Sequence, residues 1–192
     1  GDTSTGTSIL TAAAANITRV SLELGGKSAA VVFADADIAA AAADIPISVF
    51  ANAGQDCCAR SRVLVQQSVI DEFTDAMVER TRALRVGDPT DPETEIGPMI
   101  SAGQRSQAVD YVGVGTADGA TLAIGGQTTD PGYFMNPAVL TGVANDSRVG
   151  QEEIFGPVAA VIGFDDEAEA VRLANDSPYG LTASLWTTDT GH

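Results

Sequence analysis

The chain has 192 residues, enough for one substantial core, and 44% of them are hydrophobic, a globular composition in which aromatics supply only 5%. Ten basic residues against 26 acidic ones leave a net charge of −16, which opposes binding to nucleic-acid phosphates or anionic lipid. No stretch approaches the ~20 apolar residues of a membrane span, so neither nucleic acid nor membrane is an expected partner.

Gly1-Asp2-Thr3-Ser4-Thr5-Gly6 is a turn-forming hexapeptide ahead of a helix predicted from about Thr7 to Asn16, an arrangement that can present free N–H groups to a phosphate. Arg19 to Leu24 alternates like a strand and is closed by Gly25-Gly26-Lys27, which would carry Glu23 to a sheet edge. Ser28 to Phe33 reads as a second strand. Asp35-Ala36-Asp37 caps a helix over 38–52, in which Pro46 predicts a kink or a split near Asp44. Gly54 suits the end of that helix, so Cys57 and Cys58 fall on the connection to a strand at Arg62 to Val65.

A helix follows from Ser68 to near Val86, then a proline-bounded loop from Thr90 to Pro98, then a helix capped by Ser101 and ending around Gly113. Ala120 to Ile124 is a short strand, and Phe134 to Val143 is extended, with Pro137 predicting an edge strand. Gln151 to Pro157 is a loop, Val158 to Phe164 a strand, Asp165 to about Asn175 a helix, and Leu181 to Thr187 the last strand. Alternation of strand and helix predicts an α/β fold.

The two cysteines are adjacent and fall short of a disulfide framework or a four-ligand zinc set, so no metal is expected and a reducing, cytoplasmic setting fits. The sole histidine is His192, the last residue, which leaves a cysteine or serine nucleophile without an imidazole base. Acid/base chemistry then falls to a carboxylate. A cysteine attacking a carbonyl needs thiolate, scarce at a pKa of ~8.5, and the thioester it makes needs a base to activate water. Singly, each residue stays open: Glu23 could face solvent, the thiols could be structural, and Arg60 could either lower the Cys57 pKa or simply be solvated.

Taken together, three motifs resemble the aldehyde dehydrogenase superfamily. Leu22-Glu23-Leu24-Gly25-Gly26-Lys27 is similar to its glutamate signature, and Phe50 through Arg62 to its cysteine signature, with Gly54-Gln55 selecting Cys57 over Cys58. Glu153 and Phe155, within Glu152 to Pro157, resemble the family's contacts to the nicotinamide ribose and ring. The resemblance implies an NAD(P)+-dependent oxidation of an aldehyde to a carboxylic acid, with Cys57 as nucleophile and Glu23 as the base that hydrolyses the thioester. It also implies that Gly1, Asp2, Leu24 and Gly25 lie along the cofactor, although Asp2 stands where a small hydroxyl residue is usual. The implied fold is a three-layer catalytic domain with a mostly parallel sheet. Residues 1–24 would be a remnant of the Rossmann-like cofactor domain and 25–192 the catalytic domain, from an enzyme that forms homodimers or homotetramers. Family members are much longer, so the 192 residues alone are expected to be inactive. The alternatives are a non-catalytic assembly or binding domain and a cofactor-independent cysteine esterase.

Overall fold

The computed structural model describes residues 1–191, and His192 lies outside them. The first helix, α1 (Thr3–Ala14), starts earlier than predicted because the Asp2 side chain accepts the Thr5 N–H and caps it. No strand forms at Arg19 to Leu24, since the alternating pattern meets no neighbouring strand to bond with. The first strand is β1 (Ala29–Val32), followed by α2 (Ile38–Phe50), β2 (Arg62–Gln66) and α3 (Ile70–Ala83). Then come α4 (Ala102–Ala117), β3 (Thr121–Ile124), β4 (Thr128–Thr129), β5 (Phe134–Met135) and β6 (Ala138–Thr141). The short α5 (Arg148–Gln151), β7 (Val158–Phe164), α6 (Glu167–Asn175) and β8 (Ala183–Trp186) complete the chain.

Six strands form one sheet in the order β3-β6-β7-β2-β1-β8, parallel throughout except for β3, which runs antiparallel to β6. Strand β1 and most of β2 and β7 are buried, as parallel strands with helices on both faces must be. Helices α2 and α3 pack on each other and on the sheet, while α6 packs on β1 and β2. Phe33 and Phe164 meet edge to face, with ring centroids 5.2 Å apart. The β4–β5 pair stands apart as a small hairpin. No described helix is long and apolar enough to cross a membrane.

Pro46 neither splits nor ends α2. Its ring is buried with Ile45, Val49 and Phe50, and that packing offsets the hydrogen bond its missing N–H removes. Pro137 does mark a break, separating β5 from β6, but β6 lies inside the sheet between β3 and β7. The proline is accommodated because it precedes the first ladder residue rather than occupying an edge strand.

Candidate active site

Strands β1, β2 and β7 are parallel neighbours, so the segments that lead into them emerge on one side of the sheet. Those segments are Glu23 to Lys27, Gln55 to Ser61 and Glu152 to Pro157, the three stretches singled out in the sequence. They are packed backbone to backbone. A methyl group on Gly26 would sit 2.5 Å from the Cys57 carbonyl oxygen, and one on Gly54 would sit 2.2 Å from the Gly156 carbonyl oxygen. Asn52, Ala53 and Gly54 all take left-handed φ, at 53°, 56° and 68°, and only Gly54 does so without a steric cost. Cross-bonds hold this sharp turn: Asn52 Nδ2 donates to Gln55 O, Gln55 Nε2 donates to Asn52 O, and Gln55 Oε1 accepts the Ile100 N–H.

Cys57 follows that turn, partly buried, with its Sγ 3.9 Å from Cys58 Sγ. Burial, then Cys58 and Asp56, push the Cys57 thiol above its ordinary range. Arg60 does not counter this. It lines a separate hollow with Asp44, Ser48 and Trp186. Among the described residues, the Cys57 backbone N–H has no hydrogen-bond partner and is free to donate.

The two adjacent glutamates divide their roles. Glu152 takes a bidentate bond from Arg148 at 2.9 and 2.8 Å and one from the Tyr111 hydroxyl, which together hold its carboxyl down at about 2. Glu153 instead lies against Gly25 and accepts the Gly26 N–H at 3.0 Å. Phe155 is exposed and held at φ 53°, an unfavourable conformation for a non-glycine residue. Gln104 of α4 secures it, donating from Nε2 to both the Ile154 and Phe155 carbonyls.

A cleft of about 700 Å³ collects these groups. Cys57, Glu23, Glu153 and Phe155 line it, as do Gly1, Asp2, Leu24 and Gly25. Gln55, named in the sequence only as a motif marker, also lines it, and sequence reasoning missed Gln104, Gln107 and Tyr179. The signal for the α4 pair was two amides three residues apart on a helix otherwise read as routine. Lys27 was missed as well. It is 2% exposed, its Nζ has no hydrogen-bond partner, and burial together with Arg62 pushes its ammonium down to about 7 while Glu153 and Glu152 pull it back.

The cleft suits a nicotinamide riboside at its Glu153 and Phe155 end, where a carboxylate and an exposed ring are available. At the α1 end the fit to a pyrophosphate is poorer. There Asp2 takes the helix-terminal donors itself, and bonds from Thr5 and Ser4 keep it ionised.

The aldehyde dehydrogenase family model matches residues 1–192. A betaine aldehyde dehydrogenase of Mesorhizobium japonicum is 43% identical, covering 98% of this chain and 40% of that protein. Among solved structures, betaine aldehyde dehydrogenase of Staphylococcus aureus in complex with NAD+ superposes with a TM-score of 0.95 at 42% identity, covering 100% of this chain and 39% of that one. The aldehyde dehydrogenase KauB of Pseudomonas aeruginosa gives 0.97 at 41%, covering 100% and 40%. The chain therefore spans about 40% of the length of the curated relatives it matches. On the strength of that full-length match and the fold it shares, the chain belongs to the aldehyde dehydrogenase family.

Proposed function

We propose that this chain carries the nucleophile and the hydrolytic base of an enzyme that oxidises an aldehyde to a carboxylic acid with NAD+. One observation supports the reading above the others: Cys57, Glu23, Glu153 and Phe155, far apart in sequence, line a single cleft. NAD+ is favoured over NADP+ because the Staphylococcus aureus relative binds NAD+. Betaine aldehyde is the first substrate to test, since relatives 43% and 42% identical to this chain carry that name.

The Cys57 thiol gives up its proton and its sulfur adds to the aldehyde carbon, forming a C–S bond and leaving an oxyanion that the free Cys57 N–H receives. The nicotinamide, when bound, supplies the hydride acceptor, and Glu153 and Phe155 are the residues placed to hold it. Glu23 then takes a proton from water as that water attacks the thioester, and the C–S bond breaks to release acid and thiol. Because burial raises the Cys57 thiol, it is protonated at neutral pH, and attack waits on a base.

The division into 1–24 and 25–192 belongs to this proposal. It is supported by α1, whose only buried residue is Gly6, resting on Leu24, while Ile9 and Leu10 face outward. The parent enzyme is read as a homodimer or homotetramer in a compartment reducing enough, such as the cytoplasm, to keep both thiols free. The 192 residues alone are read as inactive, because about 60% of the relatives' length lies outside the part this chain matches. Iodoacetamide tests the core of the assignment. In the full-length enzyme, where attack has its base, it should label Cys57 ahead of Cys58, and Cys57→Ser should abolish oxidation. Equal labelling with activity retained in Cys57→Ser would overturn it.

A further inference from the structure

The nucleophile does not stand alone. Asp56, Cys57 and Cys58 each offer a ligand atom, and these atoms all lie within 4.8 Å of one another. The turn that gathers them is closed by the Ala59 N–H donating to Asp56 O at 3.1 Å, and the Cys58 N–H donates to Asp56 Oδ1 at 2.9 Å. The sulfur separation is the informative distance. Two Zn–S bonds of about 2.3 Å that span 3.9 Å enclose an angle of about 116°, close to the tetrahedral value that zinc adopts. A carboxylate oxygen within reach of both sulfurs makes a third ligand and leaves one position open, and Asp56 and Cys57 both line the cleft.

From this geometry we infer that Asp56, Cys57 and Cys58 form an inhibitory site for a thiophilic divalent cation, with zinc as the ligand it takes best. Thiolates prefer zinc to calcium or magnesium, and the net charge of −16 draws cations to the surface in general. Binding is a balanced exchange. Each thiol releases one proton to solvent, two S–Zn bonds form with the carboxylate as the third ligand, and nothing is oxidised or reduced. This removes from Cys57 the electron pair that would attack a carbonyl, a consequence that rests on the proposed role of Cys57, whereas the binding itself does not. The site differs from a structural zinc site in having two thiolates and an open position, so it should bind reversibly and yield to a chelator.

The test uses the 192-residue chain, reduced and freed of excess thiol. Zinc should bind with one equivalent in competition with a chromophoric chelator, and should protect Cys57 from iodoacetamide until EDTA is added. Cobalt(II) should give a thiolate-to-metal charge-transfer band. Cys58→Ser should roughly halve that band and weaken zinc by about tenfold or more, and Asp56→Asn should weaken zinc while leaving the band in place. Circular dichroism confirms that each variant is folded. A cobalt band unchanged in Cys58→Ser, or alkylation of Cys57 that zinc does not slow, overturns the site. These outcomes separate from those of the enzymatic reading: fast, selective labelling of Cys57 without zinc protection sinks the metal site alone. Zinc capture by this chain, with equal labelling and retained oxidation in Cys57→Ser of the full-length enzyme, sinks the nucleophile assignment alone.

Discussion

At the scale of single residues, Lys27 sets a pH signature. Its ammonium, pushed to about 7 in the fold, returns to about 10.4 in the unfolded chain. Below pH 7 both states are protonated and the fold bears the full penalty of a buried charge. Between the two values the unfolded chain holds the extra proton, so stability rises with pH by about 1.4 kcal/mol per unit. Lys27→Met should therefore be more stable than the parent at pH 6, with the advantage shrinking towards pH 9.5, as followed by urea denaturation. Asp35 gives the same slope at the acid end, but from a charge the fold favours rather than one it penalises. Burial raises its carboxyl, but bonds from Thr187, Thr188 and Asp189 outweigh that and hold it at about 2. Its contribution is present above about pH 4 and fades as pH falls towards 2. Neither behaviour was legible in the sequence, because a lysine after two glycines and an aspartate before a helix read alike whether buried, bonded or solvated.

At the scale of elements, three helix starts were legible and loop supports were not. Asp37, Ser101 and Asp166 each cap the helix they precede by accepting an N–H three residues on, a local interaction that needs only the residue and its spacing. Gly54 was legible for the same reason, since a left-handed turn asks for glycine. The clamp of α4 on the 152–157 loop joins residues about 50 apart, and no local pattern announces it. Gln104→Leu should leave the Phe155 carbonyl without its donor and the Ile154 carbonyl with only the long bond from Gln107 Nε2, at a cost of about 1–3 kcal/mol, and release Phe155 from its strained backbone. Hydrogen exchange should rise in residues 152–157 while β7 stays protected. In the full-length enzyme the KM for NAD+ should increase more than kcat falls. The failed strand at Arg19 to Leu24 makes the complementary point: alternation proposes a strand, but only a partner edge makes one.

For the whole molecule, the α/β class and the three motifs were legible, whereas their meeting at the starts of β1, β2 and β7 required the strand order. Arg62 locks that meeting. Although its place at a strand start reads as merely structural, it is 1% exposed and donates to Lys27 O, Asn145 Oδ1, Leu173 O and Ala174 O at 2.8–3.0 Å, joining four segments. Arg62→Met should cost about 3–5 kcal/mol, because it removes a donor from four acceptors, of which only Leu173 O keeps another bond, and leaves Lys27 without its anchor. A shift in the urea midpoint checks this.

The packing of Gly54 on Gly156 has a kinetic consequence. The Cys57 turn and the 152–157 loop are about 100 residues apart, and closing so long a loop comes late in folding. Until β7 docks beside β2, nothing holds Gly54 against the Gly156 carbonyl, and the two thiols belong to a flexible link in which each is as reactive as the other. Pulsed alkylation during refolding should therefore mark Cys57 and Cys58 equally at first and diverge only as β7 becomes protected from exchange. The difference between two neighbouring sulfurs would then time the docking of β7 onto the sheet.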